Sequence, residues 1–175
     1  VFVSLPSEYE VPLDANKRPA YYRVGINQKN VNRNDFTLTP LAAVEDNFTF
    51  IAIGDPQCTN ASEIGRYTNE TINDIAQTLS SNQNQGKYMN AYAMTLGDNV
   101  NDTPDMWEKL MASMEKVQIG AGKYLPIFIT IGNHDHNAKE SSDMTAVGNF
   151  QKYCGPTDYS FNRGKVHVVV MDNVV

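Results

Sequence analysis

Phe48-Thr49-Phe50-Ile51-Ala52-Ile53 runs straight into Gly54-Asp55-Pro56-Gln57. A short apolar run closed by turn residues reads as a buried strand, and this one stops at side chains able to bind a cation. The pattern recurs twice. Ala91-Tyr92-Ala93-Met94-Thr95-Leu96 stops at Gly97-Asp98-Asn99, and a strand expected over 125–131 stops at Gly132-Asn133-His134-Asp135. Helical stretches separate the runs. Over 63–79, Ile64, Tyr67, Thr71, Ile75 and Leu79 recur at three- and four-residue spacing, the stripe of a surface helix. Thr103-Pro104 opens a second helix to about Val117, as a cap with proline at the first helical position. Its Trp107, Leu110, Met111 and Met114 share one face and read as core. A fourth strand is expected over 166–171, after a loop around Cys154-Gly155-Pro156. This alternation predicts an α/β fold, a mainly parallel sheet with flanking helices. Sites in such sheets lie beyond the carboxyl ends of the strands.

If the first three strands are parallel neighbours, that edge collects Asp55, Gln57, Asp98, Asn133, His134 and Asp135. Any one of these is most simply a turn or capping residue. Three successive strand ends, each with glycine before a polar side chain, point instead to a shared site. Two divalent cations held about 3.5–4 Å apart need a bridging anion and terminal oxygen or nitrogen ligands. Asp98, on the central strand, is placed to bridge. The glycines let the backbone turn sharply and come close to an ion.

The rest of the chain sets bounds. Its 175 residues make one domain, or one with a short appendage. Residues 1–46 hold only short β-prone pieces, 21–26 and 36–39, around a polar turn-like stretch at 27–35, and are too few for a core of their own. They read as the tail of a preceding β domain or a linker, with 47–175 as the main unit. The net charge of −6 and pI near 5.0 argue against general nucleic-acid binding, which needs a basic face. No apolar run is long enough to span a membrane. No GxGxxG follows the first strand, which disfavours a dinucleotide-binding domain. Cys58 and Cys154 match no zinc spacing and read as free thiols, a disulfide being the alternative in an exported protein. Sequons at Asn47, Asn60, Asn69 and Asn101 carry little weight in a sequence this rich in Asn. His136 is expected in an exposed loop and His167 packed in the sheet.

The ordered set Gly54-Asp55-x-Gln57, Gly97-Asp98-x-x-x-Asp102 and Gly132-Asn133-His134-Asp135 resembles that of the calcineurin-like metallophosphoesterases (metallo-dependent phosphatases), in an Asp-Pro-Gln variant. The stretch from Tyr159 to Asp172 is similar to the family's next hairpin, so the resemblance covers about 48–172. It implies one half of the family's αββα β-sandwich and an enzyme hydrolysing phosphate mono- or diesters. Two divalent cations are implied, manganese favoured, with iron, zinc, magnesium or calcium as alternatives. Asp55 and Gln57 would hold the first cation, Asp98 would bridge, and Asn133 would hold the second. His134 would act on the leaving-group oxygen as the catalytic residue. Asp102 and Asp135 would orient the ligands or His134. A hydroxide bridging the metals would attack phosphorus in line. The implied partner is a small phosphate ester or phosphorylated substrate.

Two departures matter. The family usually has His where Gln57 stands; an amide oxygen tilts the site toward manganese or magnesium over zinc. The family also completes its centre with a later Gly-His-x-His, whereas His134, His136 and His167 are the only histidines here. The chain therefore reads as an amino-terminal portion with an incomplete centre. The alternative is a catalytically impaired metal-binding or interaction module on the same fold. The early β-prone segment resembles the end of a β-sandwich that precedes the catalytic domain in some bacterial members, which slightly favours a secreted or periplasmic location.

Overall fold

The chain is described in a computed structural model, which covers residues 1–26, 29, 34–84, 86–120 and 122–174. Most of the polar stretch at 27–35 lies outside the described residues. The strands are β1 (Phe50–Ile53), β2 (Tyr92–Thr95), β3 (Gln118–Gly120), β4 (Lys123–Tyr124), β5 (Ile127–Phe128), β6 (Tyr159–Arg163) and β7 (Val166–Val170). The helices are α1 (Ala61–Arg66), α2 (Asn73–Ser80), α3 (Trp107–Ser113), α4 (Asp143–Ala146) and α5 (Gly148–Cys154), with a π-helical segment, Tyr67–Ile72, joining α1 to α2. The fold is mixed α/β: a small parallel sheet, ordered β1-β2-β5, with flanking helices and two separate antiparallel hairpins, β3-β4 and β6-β7.

Strand β2 is buried along its whole length, as a central parallel strand covered on both faces must be. Its side chains alternate between two cores. Ala93 joins Trp107, Leu110, Ile127 and Phe150 under the helices, while Tyr92 and Met94 face Phe128, Tyr159 and Phe161. Trp107 is fully buried, edge-on to Phe150 at 5.7 Å and stacked on Tyr153 at 6.5 Å, as the helix stripe required. The second core is closed by the β6-β7 hairpin, with Phe128 and Phe161 stacked at 4.0 Å. Residues from the chain's start complete it: Leu5 and Tyr21 are buried there, and Leu5 bridges to Phe161.

Several expectations are modified. The helix expected over 63–79 begins at Ala61, capped by the Asn60 side chain, which accepts from Ser62 N and Glu63 N. Its π-helical segment adds a residue to the turn, so Ile72 rather than Thr71 is buried between Tyr67 and Leu79. Of the strand expected over 125–131, only Ile127 and Phe128 pair. Pro126 has no N–H to give, and Thr130 N donates to the Thr95 hydroxyl (3.2 Å) instead of a ladder carbonyl. The fourth strand is present as β7, but it pairs antiparallel with β6 and lies outside the parallel sheet. The pieces at 21–26 and 36–39 form no strand among the described residues; Tyr22 makes a single bridge to Phe2. No helix among the described residues is long and apolar enough to cross a membrane.

Candidate metal centre

The parallel register Ile53↔Thr95 puts the ends of β1 and β2 level, and the pairing continues past the strands. Gln57 N donates to Asp98 O (2.8 Å), and Cys58 bridges to Val100. The Thr103 hydroxyl, expected to cap a helix, donates to Cys58 O (3.1 Å) and ties the loops together again.

Asp98 is the meeting point of all three strand ends. Its Oδ2 accepts from Gln57 Nε2 (3.1 Å), and its Oδ1 accepts from His134 N (3.0 Å). Asp102 N in turn donates to His134 O (3.1 Å). His134 Nδ1 lies 3.0 Å from Asp102 Oδ2, and this hydrogen bond raises the imidazole pKa above its ordinary value. The ring is therefore protonated to higher pH than a free histidine. Asp102→Asn removes the acceptor charge, so the His134 titration should move to lower pH. A histidine NMR titration of metal-free protein checks this; an unmoved midpoint would mean that the pair is not formed in solution.

Asp135, expected to orient the ligands or His134, holds the backbone at the strand ends. Its carboxylate reaches no histidine ring; it accepts from Asn99 N (2.9 Å), Val100 N (3.0 Å), Gly132 N (2.9 Å) and Asn99 Nδ2 (2.8 Å). It clamps the β2 and β5 ends to each other. Burial pushes its carboxyl pKa up, against the lowering by these donors. Asp55 and Asn133 stand exposed at their strand ends, and neither side chain makes a hydrogen bond among the described residues.

Backbone strain concentrates here. Among the described residues six non-glycine positions have positive φ, and four are Asp55 (22°), Gln57 (42°), Asp98 (45°) and Asp102 (55°). Such conformations cost about 1–3 kcal/mol each and gather at functional sites. Glycine's part is unequal. Gly97 is left-handed at φ 100°. Gly132 has an ordinary extended φ of −125°, but a Cβ there would lie 2.2 Å from Asp98 N and 2.3 Å from Asp98 Oδ1. Gly54 meets nothing within 4 Å. Gly132→Ala should thus destabilise the fold by about 3 kcal/mol, because the obstacle is backbone. Urea denaturation reads this; a change within about 0.5 kcal/mol, typical of surface positions, would disprove the close approach.

The donors suit a hard cation. Among the described residues Gln57 Oε1 has no partner while Nε2 serves Asp98, and each Asp98 oxygen has a second lone pair. Carboxylate and amide oxygens favour manganese, magnesium or calcium. No three His, Cys, Asp or Glu side chains among the described residues converge to hold an ion; two of the four expected ligands are amides, outside that set.

Other groups escaped sequence reading. Asn99 is completely buried, its Nδ2 donating to Thr130 O (2.8 Å) and Asp135, its Oδ1 without a partner among the described residues. In sequence Asn99 stands among the polar residues Asp98, Asn101 and Asp102, so nothing local marked it as buried. His136 is buried, not exposed: Nδ1 lies 3.0 Å from Gly132 O and Nε2 lies 3.2 Å from Asp172 Oδ2, joining the β5 end to the segment just past β7. His167 is exposed on the outer face of β7, paired with Asn162 Oδ1 at 2.8 Å, rather than packed in the sheet. Cys58 and Cys154 are buried free thiols. No family model, curated protein or solved structure matches this chain.

Proposed function

We propose that this chain carries the amino-terminal half of the centre of a metal-dependent phosphoester hydrolase of the calcineurin-like kind. One observation carries the reading: the Gln57 side chain and the His134 backbone, from strand ends on either side, converge on the Asp98 carboxylate. Asp55, Gln57, Asp98 and Asn133 would hold two divalent cations, manganese favoured by the oxygen donors. Bound there, the cations would polarise a phosphoryl oxygen and lower the pKa of water. Asp102 orients His134 and raises its pKa, which favours the protonated ring that would give a proton to the leaving-group oxygen of a phosphate ester. Asp135 and Gly132 hold the loop that presents Asn133 and His134. A complete centre of this kind would need ligands beyond these four, and a secreted or periplasmic location is the favoured setting.

A second reading is a metal-binding or interaction module that has lost catalysis. It is favoured by the Gln57 amide, which spends its N–H on Asp98 and offers only a neutral oxygen to a cation. Manganese stoichiometry and hydrolysis of para-nitrophenyl phosphate and its bis ester, measured on this chain and on a longer form, separate the two. Two metals and turnover in the longer form support the hydrolase. Metal without turnover supports the module, and neither in either form refutes both.

A further inference from the structure

A second concave site lies at the other end of the sheet. It is a cavity of about 420 Å³ bounded by the start of the chain, residues 39–45, the approach to β2 and the β3-β4 hairpin. That volume falls in the range of small-molecule sites. Ala91, just before β2, lines it, whereas Asp98 lies just past the other end of that strand, so roughly 20 Å of extended chain separates the two sites.

The walls are apolar, with Leu13, Met89, Ile119 and Tyr124 among them. The charges are arranged unevenly. Arg163 and Glu45 also line the cavity and are paired, Nη2 to Oε2 at 2.5 Å, with side chains 6% and 10% exposed. That pair neutralises itself, although the buried Arg163 Nε–H has no partner among the described residues. Lys17 and Lys123 remain, against Glu10. None of these three has an ion-pair partner among the described residues, and the Lys17 ammonium sits 5.1 Å over the Tyr124 ring. The lining thus has one positive charge in excess, in a chain whose net charge is −6.

We propose that this cavity binds a small amphipathic monoanion: an apolar body against Met89, Ile119 and Tyr124, and a carboxylate or similar head between Lys17 and Lys123. The preference follows from charge complementarity. A cation would face two ammonium groups against the single Glu10 carboxylate, and an uncharged body would leave the one excess positive charge unbalanced. The inference is independent of the metal centre at the opposite edge.

Methionine-methyl NMR tests it, because Met89 is the methionine in the cavity wall among the seven in the chain. Octanoate, octylamine and octan-1-ol serve as anionic, cationic and neutral probes of one body. Octanoate should shift the Met89 methyl saturably and leave Met144, exposed elsewhere, unmoved. Octylamine should bind at least about fivefold more weakly, as should octanoate to the Lys17→Gln/Lys123→Gln double variant, the scale expected of one half-buried and one exposed cation. Leu13→Trp, which fills the cavity, should abolish the shift. No saturable Met89 shift would overturn the site. Equal response to octylamine, or full octanoate affinity in the double variant, would overturn the anion preference.

Discussion

Asp135→Ala should cost the fold about 4 kcal/mol. The carboxylate accepts from three backbone N–H groups and the Asn99 amide, and Asp135 is only 2% exposed. Alanine leaves four donors without their acceptor in a region that water reaches poorly, and each unmet donor costs about 1–3 kcal/mol before relaxation. For a domain of this size the melting temperature should fall by roughly 10 °C. Asp135→Asn should cost less, because its one oxygen can still accept while its NH₂ faces donors. Thermal and urea denaturation of both variants read the order. If alanine proved no worse than asparagine, the clamp would not be what joins the β2 and β5 ends.

Asp98→Ala should have the opposite profile. Asp98 is only partly buried and accepts two hydrogen bonds, so stability should fall by about 1 kcal/mol. Under the proposed function, the effect on turnover in a form with a complete centre should be about a thousandfold or more, since the residue that would join both cations is gone. Metal stoichiometry should drop with it. His134→Ala supplies the contrast: turnover should slow by about 10²–10⁴, the usual contribution of a general acid, while metal stays bound. Manganese titration alongside hydrolysis of para-nitrophenyl phosphate distinguishes the two. Metal release by His134→Ala would make His134 a ligand. Full metal occupancy in Asp98→Ala would remove Asp98 from the centre and the hydrolase reading with it.

The two variants differ because their neighbourhoods differ, and only part of that difference was legible in sequence. Glycine before a polar residue marked all three strand ends, yet the reasons are distinct. Gly97 is needed for its left-handed φ and Gly132 for the space Asp98 occupies, while Gly54 meets no obstacle. Spacing alone cannot separate these cases, because each depends on what lies across the loop. Asp135 sits next to His134 in sequence but serves Asn99 and Val100, 36 and 35 residues away. Asp102, far from His134 along the chain, is the residue that reaches the ring.

The amino-acid sequence by itself determined the apolar strand cores, the buried Trp107 face, the mixed α/β class and the three polar strand ends. These are local properties: periodicity and turn chemistry act over a few residues and survive in any compact arrangement. Tertiary structure decided the rest. It put β7 in a hairpin outside the parallel sheet, moved burial from Thr71 to Ile72 through a π-helical turn, brought Leu5 and Tyr21 into the second core and buried His136 against Asp172. The physical reason is common to all four. Burial and hydrogen-bond partners are set by surfaces brought together from distant parts of the chain, and a pattern read along the chain carries the propensity of each surface but not the identity of its partner.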